Sequence, residues 1–285
     1  MEQIKEYLIN KIFTVPYIDR LIFEHSVPDS FLKCISRYVK NEKITYGQAI
    51  SKIYQYMDDE YRNEYFYKNT ILNELLIKKH DLYTTAALSE LPIANSKADF
   101  VMINGKGIVY EIKTDLDSLV RLDNQIADYY KLFSYVYVVV GKKQLNKVKE
   151  HLEHSTVGIY ELTKNQKLIC RKKALYERTK LSYEAMFQVL RKHEFEYILL
   201  KHHGKLPEVN AFEYYRECFK WVKKINIITL QKEILSCLKQ RTLLKIEDID
   251  EDSIPYELRF YAYFSKKYRN DIARINNFLE KEVEV

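Results

Sequence analysis

The stretch SKADFVMINGKGIVYEIK, residues 96–113, decides the fold class of this chain. It holds two short apolar runs, at residues 98–103 and 108–113, joined by NGKG. A glycine-rich turn between two such runs predicts a β-hairpin. Residues 135–140 (YVYVVV) follow as an uninterrupted run of β-branched and aromatic residues, which is typical of a strand buried on both faces. The sequence therefore predicts a β-sheet here.

Helical patterns surround these strands. Apolar residues recur at helical spacing from residue 1 to about 80. Further helices are predicted at 115–133, 142–154, 183–193, 211–222, 228–239 and 256–279, and further strands at 157–162 and 168–172. This order predicts an α/β protein with a mixed central β-sheet flanked by helices. We divide it into a helical N-terminal region (1–60), a sheet-containing core (61–172) and a helical C-terminal region (173–285).

Composition indicates a folded, helix-rich protein. The 285 residues include only 6 Gly and 5 Pro, which excludes collagen-like and disordered chains and argues against an all-β fold. The few glycines form neither a P-loop nor a dinucleotide-binding motif, and no G-x-S-x-G sequence is present. The sequence therefore excludes P-loop NTPases, Rossmann dinucleotide-binding proteins and serine hydrolases whose nucleophile lies in a G-x-S-x-G motif.

We also expect neither a membrane span nor an export signal in this sequence. Its longest apolar run, residues 135–140, is far below the roughly 18 residues that cross a bilayer, and the N-terminus has no apolar signal core. The 4 cysteines are far apart without a C-x-x-C pair, which suits reduced thiols. We expect a cytoplasmic protein with no membrane partner.

Charge gives weaker guidance. The net charge of +6 and the 25 tyrosines fit either contacts with nucleic acid or the codon bias of an AT-rich genome, and the second reading is favoured. Basic side chains at residues 142–149 and 171–173 could neutralise phosphates or form solvated surfaces. Composition alone therefore does not establish nucleic-acid binding.

The hairpin carries the candidate chemistry. Glu111 and Lys113 are two apart on a strand and share a face, and burying such charges among apolar neighbours is costly without a purpose. Asp99 lies near the start of the preceding strand. Two carboxylates that converge across a hairpin can hold Mg²⁺. The lysine can then orient, or help to deprotonate, an attacking water.

The length of the hairpin loop decides whether these residues meet. A two-residue turn at 105–106 sets Asp99 opposite Ile112, on the wrong face. A three-residue loop at 105–107, or a bulge, pairs Asp99 with Lys113 and brings the polar residues together. The second glycine of the loop, able to take a positive φ, favours the three-residue form.

These residues resemble a known family. Asp99 followed after a hairpin by Glu111-Ile-Lys113 resembles the PD-(D/E)XK nuclease superfamily, with Ala98 in place of the proline. Residues 96–100 (SKADF), 110–119 (YEIKTDLDSL) and 125–129 (QIADY) look like a little-characterised bacterial and phage-borne branch of that superfamily. The resemblance covers roughly residues 70–165 and implies a restriction-endonuclease-like core.

The resemblance also assigns roles. It implies that Asp99 and Glu111 are metal ligands for Mg²⁺ or Mn²⁺ and that Lys113 is the catalytic lysine. Gln125 and Tyr129, four apart on one helix face, look like the Q-x-x-x-Y element that lies beside the active site of some superfamily nucleases.

An acid from an upstream helix often completes the metal shell in this superfamily. Glu74 is the leading candidate, and Glu90, just ahead of the hairpin, is the alternative. For Glu74, the alternative interpretation is an ordinary glutamate on a helix surface.

The expected function is metal-dependent hydrolysis of DNA phosphodiester bonds, in a protein from a mobile element or defence system. A homodimer is one option, because superfamily enzymes that cut both strands often act as dimers. The alternatives are a catalytically inactive nuclease-fold protein that binds DNA or acts as an adaptor, and an interaction scaffold built on the C-terminal helices. The residues leave open DNA against RNA and internal against terminal cleavage.

Overall fold

The computed structural model describes residues 2–24, 26–39, 43–242 and 254–283. Its helices are α1 Glu2–Ile12, α2 Val15–Phe23, α3 Asp29–Tyr38, α4 Tyr46–Asp59, α5 Glu64–Ile71, α6 Leu122–Tyr129, α7 Lys142–His151, α8 Tyr183–Gln188, α9 Lys192–His203, α10 Ala211–Val222, α11 Ile227–Gln240, α12 Arg259–Phe264, α13 Lys266–Asn270 and α14 Ile272–Glu280. Its strands are β1 Ala86–Ile93, β2 Ser96–Asn104, β3 Lys106–Lys113, β4 Tyr135–Gly141, β5 Gly158–Leu162 and β6 Leu168–Lys172. A π-helical segment, Leu72–Ile77, follows α5, and a 3-10 turn, Tyr256–Leu258, precedes α12.

The chain forms two compact units, each built from separate segments. The sheet unit comprises His80–Leu162 and Ile169–Leu244. The helical unit comprises Met1–Lys79, Thr163–Leu168 and Lys245–Val285. The sequence division into three consecutive regions does not include this interleaving and stays a prediction.

Local capping explains where helices of the helical unit begin and end. Thr45 caps α4 through a box in which its hydroxyl accepts from the Gln48 amide at 3.2 Å and the Gln48 side chain accepts from the Thr45 amide at 3.0 Å. The helix predicted at 256–279 is instead broken at Ser265 and Asp271. Each of these side chains accepts a hydrogen bond from an amide in the first turn of the next helix, which favours a new start over continuation.

The sheet has six strands in the order β1-β2-β3-β4-β5-β6. Strands β1 to β3 are antiparallel, and β4 runs parallel to both β3 and β5. The predicted mixed sheet flanked by helices is confirmed. Strand β1 was not predicted, because Glu90 and Pro92 interrupt its apolar pattern; a proline is tolerated at the edge of a sheet, where β1 lies.

The hairpin turn between β2 and β3 is tighter than predicted. Asn104 pairs with Lys106 across Gly105 alone, and Gly105 has a φ of +65°. The prediction of a three-residue loop is therefore wrong, and the first glycine of the loop, rather than the second, takes the left-handed conformation that favours glycine.

The difference in register leaves Asp99, Glu111 and Lys113 on the same face of the sheet. Phe100 pairs with Tyr110, and continuing that register by one residue sets Asp99 opposite Glu111. The observed register differs from the predicted one by two residues, and side chains alternate with a period of two. The observed register therefore gives the same result as the predicted three-residue loop, in which these three side chains also share a face.

The helix after β3 begins later than predicted, at Leu122. The Asp117 carboxylate accepts hydrogen bonds from the amide and hydroxyl of Thr114, both at 2.7 Å. The Gln144 side chain donates to the main-chain oxygens of Thr114 and Asp117. These bonds fix residues 114–117 as a loop and place α6 over the face that carries Glu111.

The two faces of the sheet differ in chemistry. Val101, Val109 and Val138 lie in a core with side chains of α6, α7 and α11. The opposite face carries aromatic rings, with Tyr110 and Tyr137 stacked at 5.7 Å between ring centroids. In the described ranges no helix has the length and apolar character to cross a membrane.

Gly107 is required for close packing in the sheet unit. A Cβ atom there would lie 2.6 Å from side-chain atoms of both Phe133 and Leu235, well inside van der Waals contact. We expect Gly107→Ala to lower the free energy of unfolding by about 1–3 kcal/mol. The measurement is equilibrium urea unfolding.

Gly105→Asn is the matched control, because a Cβ at Gly105 meets nothing within 4 Å and asparagine tolerates a positive φ. It should change stability by less than about 1 kcal/mol. Equal losses in the two variants would contradict the packing explanation.

Candidate functional site

The centre of the site is an ion pair buried on the face of β3. Lys113 Nζ donates to Glu111 Oε1 at 2.7 Å. Glu111 is 1% exposed and Lys113 6% exposed. Charges withdrawn from water to this degree are costly unless every polar atom finds a partner, so the neighbours of this pair determine whether it can exist.

Helix α6 supplies those partners. Lys113 Nζ also donates to the side-chain oxygen of Gln125 at 2.8 Å. The Tyr129 hydroxyl donates to Glu111 Oε2 at 2.5 Å and lies 2.9 Å from the main-chain oxygen of Lys97. Positions four apart on a helix point the same way, so one turn of α6 reaches both members of the ion pair.

Tyr129 is a permanent hydrogen-bond donor at this position. Its side chain is fully buried, and that burial, together with the neighbouring Glu111 carboxylate, raises the pKa of Tyr129 well above its usual value. The phenol stays protonated across the physiological range and can always donate to Glu111.

Asp99 faces this cluster from β2. Its Oδ2 atom accepts a hydrogen bond from the main-chain amide of Ile112 at 2.7 Å. The side chain thus takes an amide that would otherwise bond a main-chain oxygen, and regular pairing of β2 with β3 ends at Phe100 and Tyr110. The Asp99 carboxylate is held next to the strand that carries Glu111.

Glu90, on β1, is a third acidic residue of the sheet unit close to Asp99 and Glu111. Its neighbours Ser89 and Leu91 pair with Phe100 and Ala98, so Glu90 lies opposite Asp99. A carboxylate oxygen of Glu90 lies within 4.8 Å of one of Asp99. Glu90 has a φ of +57°, a conformation that costs a non-glycine residue about 1 kcal/mol or more and is concentrated at functional sites.

Glu74 belongs to the helical unit, in the π-helical segment. Its carboxylate pairs with Lys78 and, at 3.4 Å, with Lys167. Burial disfavours the charged form, yet these two lysines hold the pKa of Glu74 below its usual value. The structure thus gives Glu74 cationic partners of its own, and its assignment as a metal ligand stays a prediction.

The sequence reading missed the residues that fix α6 in place. The Asp128 carboxylate accepts from the amide of Asn95 at 3.2 Å, the hydroxyl of Ser96 at 2.7 Å and Lys131 Nζ at 2.6 Å. These bonds join α6 to the turn between β1 and β2. Asp128 sits within the QIADY segment, but only the tertiary structure shows which groups it reaches.

Part of the basic residues proposed as phosphate contacts have structural partners. Arg171 pairs with Glu161 at 2.6 Å. Lys172 Nζ donates to the main-chain oxygens of Leu152 and Ser155, beyond the end of α7. Arg171 and Lys172 therefore join β6 to β5 and to the residues that follow α7.

Asp128 should make stability depend on pH. Burial disfavours its charge, but hydrogen bonds from Lys131, Ser96 and the Asn95 amide hold the pKa of Asp128 below its usual value. A lowered pKa means that the carboxylate stabilises the fold above the unfolded-state pKa of about 4, and that this contribution is lost as pH falls through the folded-state pKa. We expect Asp128→Asn to cost about 1–3 kcal/mol at pH 7.

The measurement is urea unfolding of wild type and Asp128→Asn from pH 7 down to pH 3. The difference between the two proteins should shrink as pH falls below about 4. Glu208→Gln, at an exposed position of the sheet unit, is the control. A constant difference for Asp128→Asn across this range would refute the electrostatic role.

Comparison with known proteins gives one family and two weaker similarities. Protein cII of Enterobacteria phage P4 is 35% identical over 96 residues, which span 33% of this chain and 36% of that protein, so the match covers about a third of the relative. Pyrococcus furiosus SfsA, solved in complex with Ca²⁺, aligns at 16% identity over 46% of this chain and 63% of its own, with a TM-score of 0.23. The family described as Bacteriophage P4 protein cII matches residues 57–247. That range is more than half of the chain and includes Asp99, Glu111, Lys113 and α6, and the chain belongs to this family.

Proposed function

We propose that this protein is a metal-dependent nuclease of the PD-(D/E)XK type that hydrolyses DNA phosphodiester bonds. One observation carries the proposal: Glu111 and Lys113 are buried side by side on β3, with Gln125 and Tyr129 as partners and Asp99 opposite Glu111. A buried ion pair contributes little to stability compared with apolar residues of the same size. Its presence with so many dedicated partners supports a chemical role.

The donor set fits Mg²⁺ or Mn²⁺. Asp99 and Glu111 offer carboxylate oxygens, the ligands that these cations prefer. No histidine or cysteine belongs to the set. Bound there, the cation would polarise the phosphate and favour ionisation of a water molecule.

The remaining residues hold the reacting groups. Lys113 places a positive charge beside Glu111, where it can orient a phosphate oxygen or an attacking water. Gln125 accepts from Lys113 Nζ and so fixes the direction of the lysine. Tyr129 donates to Glu111 Oε2, which fixes the orientation of the carboxylate.

We propose Glu90 as the third acid. One of its carboxylate oxygens lies within 4.8 Å of one of Asp99, and its backbone has the left-handed conformation that is concentrated at functional sites. Lys97 pairs with Glu90 at 3.1 Å, with both side chains about half exposed, so the interaction is weak enough to exchange for another cation.

One observation favours a second candidate, an inactive nuclease-fold protein that binds DNA or acts as an adaptor. Both carboxylate oxygens of Glu111 already accept hydrogen bonds, from Lys113 and from Tyr129. A vestigial site that had lost its cation would be satisfied in this way. Such a protein binds DNA with salt-sensitive affinity and produces no cleavage.

Cleavage of plasmid and oligonucleotide DNA in Mg²⁺ or Mn²⁺, and in EDTA, separates the two. We expect EDTA to abolish cleavage, and we expect Lys113→Ala, Asp99→Asn and Glu111→Gln each to lower its rate about 100-fold or more. Lys205→Ala and Glu208→Gln, at exposed positions, are the charge-matched controls. Cleavage by Lys113→Ala at the wild-type rate would rule out the nuclease assignment.

The same assay decides the third acid. Glu90→Gln should raise the Mg²⁺ concentration needed for half-maximal cleavage by about tenfold or more. Glu74→Gln should leave that concentration unchanged if Glu74 only pairs with Lys78 and Lys167. The reverse pattern would restore Glu74 as the ligand.

A further inference from the structure

An open groove lies beside the candidate site within the sheet unit. Its volume is about 810 Å³, and it runs along the turn between β1 and β2 and the exposed side of α6. Gln125 lines the groove while its side-chain oxygen accepts from Lys113. The groove therefore adjoins the candidate catalytic lysine.

The charged residues of the groove favour an anionic occupant. Its cations are Lys97, Arg121 and Lys131, and its acid is Asp128. The Asp128 carboxylate is already engaged by Ser96, Lys131 and a main-chain amide. Lys131 is paired with Asp128 and Lys97 with Glu90, so the positive charge available for a ligand is that of Arg121.

Arg121 is the cation of the groove best suited to contact a phosphate. It is exposed at the start of α6, and within the described ranges its guanidinium takes part in no ion pair or hydrogen bond with another side chain. Lys97 and Lys131, in contrast, pair with Glu90 and Asp128. A guanidinium can bind a phosphate through two parallel hydrogen bonds.

Amides line the same groove. The side chains of Asn95 and Asn124 can donate to phosphate and sugar oxygens without reading a base. A groove with spaced cations and amide donors suits a chain of phosphates better than a single small anion.

We propose that this groove binds the sugar-phosphate backbone of a DNA strand next to the phosphodiester bond that is cut, with Arg121 as its principal phosphate contact. The inference rests on the proposed function, because that function identifies DNA as the ligand. It adds the path of the substrate, along the β1–β2 turn and α6 instead of along the basic face of α7 at residues 142–149.

The test measures DNA binding without turnover. A labelled 20-base single strand and a 20-base-pair duplex are titrated in EDTA, with fluorescence anisotropy, at salt concentrations from 20 to 200 mM. Arg121→Ala should lower the slope of log affinity against log salt by about 0.7–0.9, and weaken binding roughly 5- to 8-fold at 0.1 M salt. Arg121→Lys should keep most of the slope, and Lys149→Ala all of it.

Each outcome has a distinct meaning. Arg121→Glu binding DNA with wild-type affinity and slope would overturn the groove, as would loss of slope in Lys149→Ala alone. No DNA binding by wild type at 20 mM salt would also overturn it, and a 20-base RNA bound tenfold tighter would overturn DNA as the ligand. Circular dichroism of each variant confirms that it is folded.

The result is independent of catalysis. If wild type binds DNA through Arg121 but never cleaves it, the groove stands and the nuclease assignment fails. If wild type cleaves DNA and Arg121→Glu changes neither cleavage nor affinity, the nuclease assignment stands and the groove fails.

Discussion

The buried ion pair between Glu111 and Lys113 is the interaction on which the rest of the site depends. Removing one partner of such a pair leaves an uncompensated charge in the interior, at a cost of about 3–5 kcal/mol. The pair is tolerable because Gln125 and Tyr129 satisfy its remaining atoms. Helix α6 must therefore lie over this face of the sheet, and Asp128 fastens it to the β1–β2 turn.

The same constraint extends to the hairpin. Asp99 can face Glu111 only if the register of β2 and β3 has the right parity, and the tight turn at Gly105 provides it. The Asp99 side chain then ends the regular pairing by accepting from Ile112. Glu90, opposite Asp99, adopts a strained backbone at the same level of the sheet. Strain and interrupted pairing coincide with the cluster of acids, as is common where a site has a chemical role.

Sequence predicted the parts of this fold that depend on local pattern. The apolar run of β4, the β2–β3 hairpin and the alternation that unites Glu111 with Lys113 are local, and the structure confirms each of them. Gln125 and Tyr129, singled out by the Q-x-x-x-Y spacing, hydrogen-bond to that pair, and their role at an active site stays a prediction.

The misses have physical causes that lie outside any local pattern. Strand β1 was missed because Glu90 and Pro92 break its alternation, and only its pairing with β2 makes it a strand. The start of α6 was placed too early because acids at 115 and 117 look like a helix start, whereas Asp117 caps a loop that Gln144 also holds. The two interleaved units depend on contacts between distant segments, which spacing along the chain does not encode.

The most direct test of the central claim is a crystal structure with Mn²⁺, recorded with anomalous scattering at the manganese edge. The account predicts an anomalous peak between Asp99 and Glu111, at about 2.0–2.4 Å from a carboxylate oxygen of each, with Lys113 Nζ beside it. It would be contradicted by crystals grown in millimolar Mn²⁺ that show no peak there while Glu111 keeps its hydrogen bonds to Lys113 and Tyr129.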